Sequence, residues 1–240
     1  MNRKLELGLG ILLLAGIFFL AREGAAVVSS KEVTVEEVKT SENCIVIDAG
    51  HGGDDPGKVG INGVLEKDLN LQIALKVKEL LEQDGITVVL TRESDAGLYD
   101  AGTTNKKVQD MRRRCEIITK AMPLFTVSIH QNSYPEEAIK GAQCFYFGQS
   151  EEGKKLAEAI QASLKAELDT ENHREAKANE SYYLLKKTPT PTVIVECGFL
   201  SNAEEASLLI TEEYQQSVAK AVCQGIGEYR KSNSGQKQIQ

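Results

Sequence analysis

Three short segments each run from apolar residues into a side chain that could bind a metal ion or move a proton. They span residues 47–53, 128–132 and 193–199. The chain has three histidines, and two of them, His51 and His130, stand at the ends of predicted strands. A side chain just beyond a parallel strand projects into the crevice at the sheet edge, where a rigid element fixes its position. These two histidines are therefore placed for ligand binding.

The two histidines have a metal-binding and a structural interpretation. Two imidazoles and one carboxylate would leave a tetrahedral zinc ion one open position for water, as in catalytic zinc sites. The same donors also suit non-haem iron. Alternatively, either histidine is an ordinary hydrogen-bonding group. His173 lies in a polar, charged stretch, and we predict an exposed loop residue there rather than a ligand.

Two glutamates could supply carboxylates to such a site. Glu196 follows an apolar run, where a charged carboxylate is costly unless a cation compensates it. Beside a metal ion it could take a proton from water and pass it to a leaving amine. The alternative is an ion pair with a buried arginine such as Arg92 or Arg114. Glu66 opens a predicted helix, where an acid is favourable with or without a metal.

Strands and helices alternate along the chain, and these elements must position the candidate residues. This alternation predicts an α/β fold: a single domain with a largely parallel, twisted sheet of about six strands and helices on both faces. Ligands bind at the carboxyl edges of the strands in such sheets. The predicted strands are 44–47, 86–90, 124–129, 143–147, 182–185 and 192–196, and helices cover 66–83, 108–122, 156–168, the segment from 201 or 202, and 214–229.

The chain divides into four predicted regions. Residues 1–26 begin with basic residues and continue as an apolar block, which indicates an N-terminal signal peptide or membrane anchor helix. The length of the block leaves both cleavage and retention open. Residues 27–42 are a polar linker, residues 43–230 the catalytic domain, and residues 231–240 a disordered tail. We therefore expect an exported protein that acts outside the cytoplasm.

Charge and cysteine content exclude two other classes of site. The net charge of −7 argues against nucleic acid as a partner, because no basic face could collect phosphates. The densest basic run, 112–114, is interpreted as a solvated helix face. The five cysteines form no C-x-x-C pair, and their odd number cannot pair completely. We predict buried small side chains, with neither a disulfide framework nor a cysteine-bound metal.

Five ordered motifs resemble those of the zinc-dependent N-acetylmuramoyl-L-alanine amidases, over nearly all of residues 43–230. The resemblance implies Zn²⁺ as cofactor, His51, Glu66 and His130 as its ligands, and Glu196 as catalytic acid and base. Asn132 and Arg92 are weaker candidates for substrate contacts, and either could instead brace the loops. The motifs are Asp48–Gly53, Leu65–Asp68, Thr91–Arg92, Ser128–Asn132 and Val195–Asn202, with Ala49 and Pro123 departing from the common pattern.

Further segments resemble the germination-specific members of this family from spore-forming bacteria. They are 91–95, 141–147 and the short amino-terminal segment. The resemblance implies removal of stem peptides from cortex peptidoglycan, so that muramic δ-lactam can form at the spore cortex or outer forespore membrane. Some family members carry a plugging helix after the second histidine, but only about ten residues separate His130 from Gly141. Regulation would then come from timing, location or a separate activator such as a lipoprotein.

Two other functions compete with this interpretation. A zinc peptidase that cleaves within the peptidoglycan stem peptide would share every ligand and differ only in pocket shape. A non-catalytic wall-binding module would keep the fold and lose the catalytic acid. Glu196 is present, which favours an enzyme.

Overall fold

The computed structural model describes residues 43–237. The predicted signal or anchor segment 1–26 and the linker 27–42 lie outside these residues. Within the described range, no helix has both the length and the apolar character needed to cross a bilayer.

Residues 43–237 form six strands and six helices. The strands are β1 Cys44–Ala49, β2 Thr87–Leu90, β3 Thr126–Asn132, β4 Gln143–Tyr146, β5 Lys177–Ala178 and β6 Thr192–Phe199. The helices are α1 Glu66–Gln83, α2 Lys106–Ala121, α3 Glu151–Leu168, α4 Tyr183–Lys187, α5 Ala203–Leu209 and α6 Glu212–Lys237.

The strands form one six-stranded sheet in the order β2-β1-β3-β6-β4-β5. Strands β2, β1, β3 and β6 are mutually parallel, whereas β4 runs antiparallel to β6. This confirms the predicted α/β domain with a largely parallel sheet. Because β1, β3 and β6 are parallel neighbours, their carboxyl ends meet at one edge. In the register of β3 and β6, His130 lies beside Glu196.

Both faces of the sheet are covered by helices. Successive side chains of a strand point to opposite faces, so each central strand serves two layers. On one face the strands pack with α1, α3 and α6, through residues that include Ile45, Ile47, Val127, Ile129, Val193 and Val195. On the other face Val46 packs with Ile118 of α2 and Leu184 of α4. Asp48 of β1 follows Val46 at the next position on this second face.

Two sequence predictions between β4 and β6 were wrong. Residues 182–185 were predicted as a strand, but Tyr183–Lys187 forms α4. A run of four apolar residues does not distinguish a strand from a helix turn. Here Asn179 Oδ1 accepts hydrogen bonds from the backbone N–H groups of Ser181 and Tyr182, which turns the chain just before the helix. The charged stretch 169–180 contains the unpredicted edge strand β5, whose two residues are both exposed.

The last helix continues beyond residue 231, where we predicted a disordered tail. Helix α6 extends to Lys237. Asn233 Nδ2 donates to Glu152 Oε2 at 3.0 Å. The helix therefore still contacts the domain just beyond residue 231. A tertiary contact of this kind overrides weak local helix propensity. Residues 238–240 lie outside the described part.

Candidate metal centre and its buried carboxyl

Three side chains from different elements converge at the carboxyl edge of the sheet. His51 follows β1, Glu66 is the first residue of α1, and His130 belongs to β3. Glu66 Oε1 lies 2.9 Å from His130 Nδ1 and 3.3 Å from His51 Nε2, and the three ligand atoms are all within 4.8 Å of one another. Tetrahedral ligands of zinc, at about 2.0–2.1 Å from the ion, are roughly 3.3 Å apart. Among the described residues, no other group of three side chains meets this criterion.

The negative charge of Glu66 also fits a divalent cation. Burial opposes ionisation of Glu66, but hydrogen bonds and attraction from His130 and His51 hold its pKa well below the usual range. Burial alone would lower the pKa of His51. The hydrogen bonds and negative charges of Glu66 and Asp55 outweigh the effect of burial, so the pKa of His51 is raised. A carboxylate held between two imidazoles carries a negative charge that a cation would neutralise. The residues therefore fit Zn²⁺, and equally the other metals that take these donors.

Polar groups around the ligands fix their orientation. Asp55 Oδ2 lies 2.9 Å from His51 Nδ1, on the far side of the ring from Glu66. The other carboxylate oxygen of Glu66, Oε2, accepts from the backbone N–H of Lys58 at 2.8 Å, and Asn70 Nδ2 donates to Oε1 at 3.2 Å. Such partners select the tautomer of a ligating histidine and hold ligating carboxylates in place. Asp55 was not among the residues predicted from the sequence, although an acid four residues after a candidate histidine was a usable signal.

Two glycines let the loops approach the ligands closely. A Cβ atom on Gly50 would lie 2.3 Å from the ring of His130. A Cβ atom on Gly57, whose φ is +68°, would lie 2.5 Å from Glu66 Oε2. His51 itself has a φ of 61°, a left-handed conformation that is uncommon outside glycine. The backbone conformation here is therefore shaped around the ligand set.

Glu196 occupies the position next to His130 on β6 and is only 7% exposed. Its Oε2 atom is buried and has no hydrogen-bond partner among the described residues. Burial raises the pKa of Glu196 to about 7, with repulsion from Glu66 adding to the effect and attraction to His130 and His51 opposing it. Tyr182 interacts with the same carboxyl group. A buried acid that titrates near neutrality can both accept and donate a proton.

The four side chains share one cavity of about 400 Å³. His51, Glu66, His130 and Glu196 all line it, and so does Asn132 at the end of β3. Asn132 therefore remains a candidate for substrate contact.

Arg92, the other candidate for substrate contact, is 4% exposed and donates to backbone carbonyls. Its Nε donates to Ala49 O at 2.9 Å, and its Nη2 donates to Gly50 O at 3.0 Å and Lys67 O at 2.7 Å. These bonds join the end of β1 to the first turn of α1. The geometry supports the bracing alternative for this residue.

The prediction of a solvated face was wrong for Arg114, which is buried. Its guanidinium pairs with Asp48 Oδ1 at 2.6 Å and donates to His51 O, also at 2.6 Å. Burial opposes the ionisation of Asp48, but Arg114 and two hydroxyl donors lower its pKa to about 2. Arg114 follows Met111 by three residues and precedes Ile118 by four, so it belongs to the apolar stripe of α2. Neither arginine proposed as a partner for Glu196 pairs with it.

Comparisons with known proteins agree on one family. The family model described as N-acetylmuramoyl-L-alanine amidase matches residues 45–228. A germination-specific N-acetylmuramoyl-L-alanine amidase of Bacillus subtilis (strain 168) is 39% identical over 192 residues, which cover 79% of this chain and 80% of the relative.

Two solved structures extend the comparison to three dimensions. The CwlD amidase from Clostridioides difficile, solved in complex with the GerS lipoprotein, has a TM-score of 0.77 and 42% identity, covering 79% of this chain and 99% of that one. The amidase AmiC2 of Nostoc punctiforme has a TM-score of 0.67 and 34% identity, covering 78% and 97%.

Proposed function

The chain belongs to the N-acetylmuramoyl-L-alanine amidase family, and from that membership we propose that it is a zinc-dependent amidase of spore cortex peptidoglycan. As an enzyme of this family it acts on peptidoglycan. We propose that it cleaves the amide bond between the lactyl group of N-acetylmuramic acid and L-alanine. The observation that carries the zinc proposal is the convergence of His51, Glu66 and His130 in one cavity with the buried carboxyl of Glu196.

In the proposed mechanism, His51, Glu66 and His130 would hold Zn²⁺. The ion, when bound, polarises the scissile carbonyl and makes water a better nucleophile near neutral pH. Glu196 accepts the proton of the attacking water at its unpartnered Oε2 atom. It then donates that proton to the departing amine of L-alanine, which a carboxyl with a pKa near neutrality can do.

Digestion of purified peptidoglycan tests the reaction. Mass spectrometry should find stem peptides with a free amino group on L-alanine together with intact glycan strands. The Glu196→Gln variant should keep its metal content and release no stem peptide, because the amide cannot carry the proton. The matched control is Glu204→Gln, which should remain active. Glu204 is an exposed acid that pairs with Lys140. Cuts inside the stem peptide would instead establish the peptidase alternative, and an active Glu196→Gln variant would refute the role of Glu196.

We propose that the enzyme acts at the spore cortex, where removal of stem peptides allows muramic δ-lactam to form. The relative of 39% identity that is named germination-specific supports this proposal. Residues 1–26 would direct export or anchor the chain, residues 27–42 would tether it, and residues 43–230 would be the catalytic domain. The wild-type gene, but not the Glu196→Gln variant, should restore δ-lactam to spores that lack their own germination-specific amidase. An enzyme that releases stem peptides in vitro yet restores no lactam would rule out the cortex role.

We also propose a separate lipoprotein as activator. The structure of the C. difficile CwlD amidase contains the GerS lipoprotein. That amidase is 42% identical to this chain. Adding a lipoprotein from the same organism should increase stem-peptide release by the full chain. No change in rate and no co-purification would count against this partner.

A further inference from the structure

Two lysines that line the candidate active-site cavity have no ion-pair partner among residues 43–237. Lys58 and Lys107 both contribute to the wall that holds His51 and Glu196. Within the described part of the chain, neither ammonium group forms an ion pair, although many other lysines do. A positive group left unpaired beside a reaction site is available to an anionic ligand.

Arg114, the one other lysine or arginine among the described residues that line the cavity, is already engaged within the protein. Arg114 pairs with Asp48 and Asp110, both at 2.6 Å. The positive charge of Lys107 contributes to the lowered pKa of Asp55. The hydrogen bonds of Asp55, however, are with His51 and with the backbone N–H of Gly57. Lys58 and Lys107 therefore supply the unpaired positive charge that a ligand in the cavity could bind.

The backbone holds Lys58 next to the metal ligands. Its N–H donates to Glu66 Oε2 at 2.8 Å, and its carbonyl accepts from the N–H of Glu66 at 2.9 Å. Its side chain is exposed and takes no part in these bonds. The backbone hydrogen bonds to Glu66 therefore fix the position from which the Lys58 side chain lines the cavity.

Lys107 differs from the lysine that precedes it on α2. Lys106 pairs with Asp54 at 2.5 Å and lies over the ring of Tyr99, 5.4 Å from its centroid. Lys106 is absent from the wall of the active-site cavity, whereas Lys107 lines it. Of these two adjacent lysines, Lys106 therefore pairs with a side chain of the protein, whereas Lys107 lines the cavity and could contact a ligand there.

We propose that Lys58 and Lys107 bind a carboxylate of the stem peptide and so determine a preference for anionic over amidated substrates. This inference rests on the proposed amidase function. The residue that follows L-alanine in a stem peptide is a γ-linked glutamate, whose α-carboxyl group lies near the scissile bond and occurs either free or as an amide. An ammonium group recognises the free carboxylate by charge and hydrogen bonding and gains much less from the neutral amide. The net charge of −7 repels an anionic substrate at long range, and local positive charge at the cavity offsets this repulsion.

Two synthetic muramyl peptides that differ only in this group, carboxylate or amide, test the proposal on the full-length enzyme. Wild type should have the higher kcat/KM for the carboxylate, mainly through KM. Lys58→Gln and Lys107→Gln should each reduce the ratio of the two kcat/KM values by about two- to fivefold, the range of partly exposed ion pairs. The double variant should bring the ratio close to one, and Lys58→Arg and Lys107→Arg should restore most of it.

The controls separate this inference from the function it depends on. Lys106→Gln should leave the ratio unchanged, because that lysine already pairs with Asp54. Higher salt should lower the wild-type ratio, since the proposed contacts are partly exposed. Cleavage of neither peptide, with the proposed lipoprotein activator present, would count against the proposed amidase reaction itself. Equal cleavage of both peptides by wild type, or a ratio that both Lys→Gln variants leave unchanged, would refute only the roles of the two lysines.

Discussion

At the scale of the residue, His51 is held from three directions. Glu66 contacts Nε2, Asp55 contacts Nδ1, and Arg114 donates to the backbone carbonyl. The left-handed backbone at this histidine is sustained by these contacts rather than by local preference. Metal binding should therefore depend on residues that never touch the metal.

The Asp55→Asn variant tests this dependence. Loss of the carboxylate weakens the orientation and basicity of His51, so zinc affinity should fall about 10- to 100-fold. Competition with a chromogenic chelator measures the affinity. Asp54→Asn changes the neighbouring exposed acid, which pairs with Lys106, and should leave zinc affinity within experimental error of wild type. Equal affinities for the wild type and Asp55→Asn would show that Asp55 does not orient the ligand.

The buried pair of Asp48 and Arg114 should make stability depend on pH. Because the folded-state pKa of Asp48 is lowered from its usual 3.8 to about 2, its stabilising effect is complete above about pH 4 and is lost as the pH falls toward 2. The shift corresponds to roughly 2 kcal/mol. Asp48→Asn should cost about 3–5 kcal/mol at pH 7, because it leaves Arg114 buried without its partner.

Urea unfolding of wild type and Asp48→Asn at pH 7 and at several values down to pH 2 measures both effects. The difference in free energy of unfolding between the two proteins should shrink as the pH falls. Asp84→Asn, at an exposed position, should follow the wild-type curve. A difference that stays constant across this range would mean that Asp48 is not ionised in the folded protein.

At the scale of the element, the site depends on strand register and on close helix packing beneath the sheet. The pairing of β3 with β6 sets His130 beside Glu196, and a shift of one residue would turn one of them to the opposite face. Helix α6 supports these strands by packing against α3. A Cβ atom on Gly225 of α6 would lie 2.5 Å from Ile160 Cα in α3. The two helix backbones are thus in direct contact at this point.

Two glycine substitutions on the same helix should have opposite effects on stability. Gly225→Ala should lower the free energy of unfolding by about 1–3 kcal/mol, because α6 must move away from α3. Gly227→Ala has open space around its new Cβ atom and should raise stability by roughly 0.5–1 kcal/mol through helix propensity. Chemical denaturation of the two variants measures the difference. A stabilised Gly225→Ala variant would contradict the close approach of the two helices.

Periodicity in the sequence predicted the long elements and failed for the short ones. Helix α1 begins at Glu66 and ends at Gln83, as its repeating apolar residues predicted. Helix α4 and strand β5 have five and two residues, too few to show a period, and their conformations depend on neighbours such as Asn179 and β4.

The candidate site was predictable because its residues lie in family motifs, at the ends of predicted strands or, for Glu66, at the start of a predicted helix. His51, Glu66, His130 and Glu196 could be named from sequence for that reason, and the structure brings them together. The supporting contacts were not predictable in the same way. Asp48 and Arg114 are 66 positions apart, and no sequence pattern shows that they meet. Charged residues in a basic run are usually solvated, and only the fold distinguishes Arg114 from its exposed neighbour Arg112.

At the scale of the whole molecule, the proposed metal would join parts of the domain that are distant in sequence. His51 follows β1, Glu66 begins α1, and His130 lies in β3, and the unfolded chain does not hold their ligand atoms together. A ligand that binds only the folded state stabilises it according to its concentration and affinity.

Zinc should therefore raise the melting temperature. At a free concentration of about 100 times Kd the gain is about 2.7 kcal/mol. For a domain of this size that gain corresponds to an increase of roughly 5–10 °C. Thermal unfolding with zinc and with a chelator measures it, and His51→Ala should show little response. A wild-type melting temperature that is insensitive to both would contradict a metal site in the folded domain.

The reversed direction of β4 has a practical consequence. Because β4 runs against β6, Gln143 at its start lies beside Glu196, so the segment 133–142 leaves β3 and enters β4 on the same rim as the cavity. The segment passes from β3 to β4 past the end of β6, at the rim of the sheet rather than across one of its faces. A ligand-binding domain inserted into this segment could control the entry of substrate to the cavity. The hydrophobic core would be left intact.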